Sequence, residues 1–119
     1  MKMWRPVGLK ELEKIQASDM TAFPPRLPEQ PIFYPVLSFE YAEKIARDWN
    51  STRGDHDFVG VVLGFQVEGG FVARFEPQPA GGADHMELWI PAEQLAEFNQ
   101  KIVGQIEVVA RYENGERVA

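Results

Sequence analysis

Apolar positions along this 119-residue chain change period several times, and each change marks an element. Met3 to Val7 is a short apolar segment that reads as a first strand. Leu9, Leu12 and Ile15 then recur at helical spacing while Lys10, Glu11, Glu13 and Lys14 cover the other side, which predicts an amphipathic helix from about Gly8 to Ala17. A second stripe, Phe39, Ala42, Ile45, Ala46 and Trp49, follows Ser38 as N-cap and predicts a helix ending near Asn50. Ser51 to Asp57 is a polar loop. Phe58 to Val67, rich in Val, Phe and Gly, reads as a largely buried strand. Gly69-Gly70 reads as a turn, and Phe71 to Phe75 continues the apolar material. Pro91 fits the first position of another amphipathic helix, carried by Ala92, Leu95, Phe98 and Ile102 and stopped by Gly104. Ile106, Val108, Ala110 and Tyr112 alternate with Glu107 and Arg111 in a last strand, and the Asn114-Gly115 tail is expected to fray.

Between Ser18 and Leu37 the pattern differs. Pro24, Pro25, Pro28, Pro31 and Pro35 exclude a regular helix. Phe23, Leu27, Ile32, Phe33, Tyr34, Val36 and Leu37 are nevertheless too apolar for a disordered linker, so an ordered loop passing into a short strand near Ile32 to Val36 is expected. The resulting succession is strand, helix, loop with strand, helix, then strands with one more helix. That is an α+β fold with about three helices in one domain, residues 1–119.

Composition narrows the function classes. With 45% hydrophobic residues the chain can bury roughly two-thirds of its unfolded surface. No cysteine is present, which removes disulfides, thiolate metal sites and a cysteine nucleophile. The net charge of -6 argues against duplex DNA or an anionic membrane as partner, because both need a basic footprint. Residues 1–50 carry seven basic and seven acidic side chains, and residues 51–119 carry five and eleven. An anionic ligand would therefore be held by the first half, whereas the acidic second half would suit a basic protein partner, as in an antitoxin, immunity or accessory module. The N-terminus has no apolar run of signal-peptide length and no later segment has the length of a membrane span, so a cytoplasmic protein is expected.

The chemistry-bearing residues concentrate in Asp84-His85-Met86-Glu87-Leu88-Trp89-Ile90-Pro91. On a strand, Met86, Leu88 and Ile90 point one way, and His85, Glu87 and Trp89 the other. The second set fits a general base pair, a metal site, a ribose-binding carboxylate, or a plain solvated face. Only two histidines exist, and His56 lies in a charged loop, so no metal is expected. Arg5 offers a guanidinium fork for phosphate or carboxylate, or an ordinary arginine stem packed on Trp4. Tyr34 and Tyr41 suit either ligand stacking or boundary packing. Gly81-Gly82 is either a recognition loop or a hairpin connection. Neither the P-loop nor the Rossmann fingerprint is present.

Trp4 to Leu12, Ala22 to Val36, Tyr41 to Asn50 and His85 to Pro91 together resemble a small bacterial family labelled ADP-ribosylation or crystallin J1-like, over nearly the whole chain. A further resemblance is to mono-ADP-ribosyltransferases, through the order of Arg5, Phe33-Tyr34 before the Tyr41 helix, the Gly81-Gly82 loop and Glu87. It implies a minimal split-sheet transferase-like fold acting on NAD, by transfer to an unknown acceptor or by hydrolysis. By the same resemblance Glu87 and His85 would be catalytic, the first on the ribose and the second on the acceptor. Arg5, Phe33, Tyr34, Tyr41 and Trp89 would bind NAD. Ile32-Phe33-Tyr34-Pro35-Val36 stands where those transferases carry Ser-Thr-Ser.

Overall fold

In the computed structural model, which describes residues 1–80 and 85–119, the chain folds as an α+β domain. Strand β1 (Lys2–Val7) leads into helix α1 (Leu9–Ala17), and strand β2 (Ile32–Phe33) precedes helix α2 (Phe39–Asp48). Strand β3 (Val59–Val67), the one-turn helix α3 (Gly69–Val72), and the short strands β4 (Gln78–Pro79), β5 (Met86–Glu87) and β6 (Ile90–Pro91) follow. Helix α4 (Leu95–Gln100), strand β7 (Ile102–Glu113) and strand β8 (Glu116–Arg117) complete the chain. The Gly81-Gly82 loop lies outside the described residues.

β3 is the spine. It is buried along both faces except at Gln66, as a strand flanked by strands and covered on each side must be. Antiparallel neighbours β1 and β7 flank it, and β8 extends β7, in the order β1-β3-β7-β8. Val59, Val61, Leu63, Phe65 and Val67 join the larger core with Leu12 and Ile15 of α1, Leu95 and Phe98 of α4, and Phe23 and Phe33 of the proline-rich segment. Val62 faces the opposite way, into a smaller core with Ala42 and Ala46 of α2, Val36, Ala110 and Tyr112. In that smaller core the Tyr112 hydroxyl donates to the Glu43 carboxylate.

The sheet continues beyond β1 through one residue. Val36 exchanges backbone hydrogen bonds with Trp4 (2.9 and 2.8 Å) and bridges Glu87 on its other side. Ile32 opposes Pro91, Phe33 opposes Ile90 and Val36 opposes Glu87, so one antiparallel register runs from β2–β6 to the Val36 bridge. Leu37 N–H donates to Met86 O and Leu88 N–H to Pro35 O, each at 2.9 Å, which fixes Glu87 in that ladder.

Several boundaries differ from the sequence expectations. The helix expected from Pro91 to Ile102 is shorter, because Pro91 is extended (φ -55°, ψ 141°) and Ala92 N–H still pairs with Pro31 O. Leu95 starts the α-helix after a 3-10 turn, and Ile102 already pairs with Val67 in β7. Gly104, expected as a helix stop, lies inside β7 at φ +76°, beside the register shift between Gly64 and Gln66. Gly69-Gly70 opens a helical turn, not a simple reversal. Asn114-Gly115 does not fray. It turns β7 into β8, with Gly115 N–H on Ser51 Oγ at 2.9 Å. The strand expected over His85 to Ile90 is interrupted between β5 and β6, and its alternation holds only in the second half: Leu88 and Ile90 are buried and Trp89 is exposed, whereas His85, Met86 and Glu87 are all half-buried. Trp49, expected on the core stripe of α2, is 52% exposed and is capped by the Arg53 guanidinium 3.4 Å from its ring centroid.

The helix N-cap at Ser38 forms as expected, with Tyr41 N–H donating to Ser38 Oγ at 3.2 Å. That helix approaches β3 unusually closely at Gly60, where a Cβ would stand 2.0 Å from the Ala46 carbonyl oxygen. Both contacting groups are backbone and cannot swing aside. Gly60→Ala is therefore expected to destabilise the protein by about 3 kcal/mol or more, at the upper end of overpacking costs, measured by urea unfolding; a loss below about 1 kcal/mol would show that α2 is free to move off the sheet.

Candidate functional site

A cleft of about 820 Å³ opens where β1, α1, the proline-rich segment and the end of α2 meet. Its size falls within the range of small-molecule sites. Arg5, Tyr34, Glu87 and Trp89 all line it. The shared register explains part of this: β2–β6 pairing makes Tyr34 and Trp89 opposite positions, and Val36 sets Glu87 two strand positions from β1. Tyr34 and Trp89 are 38% and 45% exposed, so both present free ring surface. Trp89 Nε1–H donates to Glu87 Oε1 at 2.9 Å, which orients the carboxylate and leaves Oε2 with no bond among the described residues.

Arg5 occupies the floor and is already engaged. Its Nε and Nη2 donate to the two oxygens of Glu11 at 2.6 and 3.0 Å, its Nη1 reaches the Tyr34 carbonyl at 3.4 Å, and its plane lies 4.5 Å from the Phe33 ring centroid. The carboxylate that this fork meets is the chain's own. Glu11 lies one turn into α1 beside Lys10 and Lys14, so helix formation carries it to β1.

Phe33, expected to stack a ligand, is instead a core residue. It is 1% exposed, with Phe23 and Phe98 at centroid distances of 5.0 and 5.4 Å, and its ring serves Arg5. The alternation that turns Tyr34 outward turns Phe33 inward. Tyr41 and His85 border a neighbouring cavity of about 370 Å³, which shares Ile45 and Trp49 with the main cleft. Their rings stack at 4.6 Å and 8°. Burial, and then repulsion from Glu87, push the Tyr41 hydroxyl above its ordinary value, so Glu87 is within electrostatic reach of both cavities.

Sequence reasoning did not single out Arg26, Lys10, Lys14, Trp49 or His56, which also line the cleft. His56 packs over the start of α1 so tightly that a Cβ at Gly8 would meet its Nδ1 at 2.2 Å. The Asn50 side-chain oxygen, on the cleft wall, is buried without a hydrogen-bond partner among the described residues. The cleft cations Arg5, Lys10, Lys14 and Arg26 all come from the first quarter of the chain. Among the described residues no cluster of three His, Asp or Glu is placed to hold a metal, and no helix is long and apolar enough to cross a membrane.

No family model, curated protein or solved structure matches this chain. The functional reading therefore rests on the cleft.

Burial alone raises the Glu11 carboxyl, but Arg5, by charge and by hydrogen bonds, outweighs it, with smaller help from Arg26 and His56, and the net result lies below the ordinary 4.5. A depressed carboxyl stabilises the fold above its unfolded value and loses that contribution as pH falls through the folded value. With side chains 11% and 24% exposed, the pair lies between the surface and fully buried limits, so Glu11→Gln is expected to cost about 2 kcal/mol at pH 7. The difference between wild type and Glu11→Gln should shrink as pH drops below 4.5, read from urea midpoints across an acid series; a constant difference would show that the carboxylate charge contributes nothing.

Proposed function

We propose that the cleft binds NAD and that Glu87 promotes cleavage of the bond between nicotinamide and ribose. The observation that carries this reading is the convergence of Arg5, Tyr34, Glu87 and Trp89, drawn from three segments, on one cleft with a cationic side and aromatic walls. When that bond breaks, its electron pair leaves with nicotinamide and positive charge develops on the sugar. A carboxylate accepting a hydrogen bond from a ribose hydroxyl stabilises that charge, as carboxylates do in glycoside hydrolysis. Glu87 is suited to this because Trp89 holds one of its oxygens and leaves the other for a ligand.

Tyr34, whose ring is exposed at the cleft, offers a stacking surface for nicotinamide. Water or an acceptor nucleophile would add to the anomeric carbon and surrender a proton. On this reading His85 and Tyr41, which border the adjoining cavity, would orient the acceptor. Arg5 would act by holding the floor and the Tyr34 backbone. A cytoplasmic setting, with NAD at hand, goes with this reading.

A second reading, a module that masks a basic protein, draws on β7 and β8, where Glu107, Glu113 and Glu116 accompany exposed Val103 and Val108. The two are separated by one titration. Saturable heat with NAD is expected at millimolar concentration, an affinity of about 4 kcal/mol. Nicotinamide release should fall at least about 100-fold in Glu87→Gln, with the melting temperature unchanged. Absence of heat at millimolar NAD would remove the dinucleotide reading and favour the acidic module.

A further inference from the structure

We propose that Arg26 is the anion-binding residue of the cleft, and that the phosphate groups of an entering nucleotide dock on its guanidinium instead of on that of Arg5. The dinucleotide identity of the ligand rests on the NAD reading above; the anion seat does not.

Two guanidinium groups share the Phe33 ring, Arg5 at 4.5 Å from its centroid and Arg26 at 5.9 Å. One carboxylate, Glu11, pairs with Arg5. Every nitrogen of Arg5 has an acceptor within the chain, and its planar fork is matched by both oxygens of Glu11. An incoming phosphate would have to break that pair and leave Glu11 partly buried beside a second anion, which is costly.

Arg26 is in the opposite condition. Its Nε donates to the Ile32 carbonyl at 3.2 Å, its terminal nitrogens make no hydrogen bond among the described residues, and it has no ion-pair partner there. Burial and repulsion from Arg5 both disfavour its charge, and Glu11 offsets them only in part. A half-buried guanidinium in this position gains when an anion arrives, whereas Arg5 does not.

The segment also presents Arg26 rigidly. Asn99 clamps both backbone groups of Phe23, accepting from its N–H at 2.9 Å and donating to its carbonyl at 3.0 Å. The Phe23 ring is buried, and Pro24-Pro25 fix the backbone directions between that anchor and Arg26. Lys10 and Lys14, one helical turn apart on α1, face the same cleft and have no ion-pair partner among the described residues. Asp55 and Glu87 are the other carboxylates of the lining. Arg26 and the two lysines thus form its unneutralised side, and exposed Tyr34 and Trp89 supply ring surface for a base.

The test follows the arginine Nε–Hε NMR signals of the wild-type protein during titration with inorganic pyrophosphate and, separately, with NAD. The Arg26 signal is expected to shift saturably while that of Arg5 stays in place. Calorimetry should show pyrophosphate binding at least tenfold weaker in Arg26→Ala and partly recovered in Arg26→Lys. Movement of the Arg5 signal alone, or an unchanged affinity in a folded Arg26→Ala, would overturn the assignment. Pyrophosphate binding at Arg26 without NAD uptake would support the seat and overturn the NAD reading. NAD uptake indifferent to Arg26→Ala would do the reverse, and binding of neither would remove both.

Discussion

The ion pair between Arg5 and Glu11 joins three segments at one point on the floor of the cleft. Arg5 belongs to β1, Glu11 to α1, and the Tyr34 carbonyl and Phe33 ring to the segment that starts the outer part of the sheet. A guanidinium is suited to such a junction because it is planar, permanently charged and able to donate in several directions while its face rests on a ring. Its desolvation is costly, and the paired oxygens of Glu11 are what make burial tolerable. With Arg5 held, Phe33 is committed to the core, and the next residue, Tyr34, is committed to the cleft. The inward and outward sides of the site are thus set by one alternation pinned at one charge.

The outer ladder depends on the same pin. Val36 is bonded to Trp4 on one side and bridged to Glu87 on the other, so the position of the carboxylate is measured from β1 through a single residue. Pro35 lacks an N–H, and the ladder is broken around it, which frees Tyr34 and Trp89 from regular pairing and lets them line the cleft. On the far face, α2 is held against β3 by the absence of a side chain at Gly60. That approach brings Ile45, Trp49 and Asn50 to the cleft wall.

Local patterns made much of this readable. Ser38 as a cap, Ala42 and Ala46 of the α2 stripe, the period of α1 and the alternation of Leu88, Trp89 and Ile90 are short-range features, and each survives in the fold. What was not readable depends on contacts far apart in sequence. Pro91 is a good first residue for a helix, but pairing with Ile32 keeps it extended. Gly104 resembles a helix stop and serves a strand irregularity, because Ile102 is captured by Val67. Asn114-Gly115 is a strong hairpin signal that its position near the end of the chain disguised. Arg26 follows two prolines in a segment with no periodicity, and its neighbourhood with Arg5 arises only when Phe23 enters the core.

Arginine appears twice on one ring with opposite consequences, and the difference is a matter of which carboxylate is near. Arg5 has Glu11 within helical reach of β1 and becomes structure. Arg26, delivered from a proline-fixed loop to 5.9 Å from the same ring centroid, finds no carboxylate ion-pair partner among the described residues, where its terminal nitrogens make no hydrogen bond. A site built only from Arg5 and Glu87 would have its cation neutralised before any ligand arrived. A cleft with a neutralised guanidinium in its floor and an available one on its wall can stay folded without ligand and still attract an anion. Glu87, tethered by Trp89, likewise has one oxygen without a partner among the described residues. This separation of holding charges from binding charges is what the proposed phosphate seat rests on.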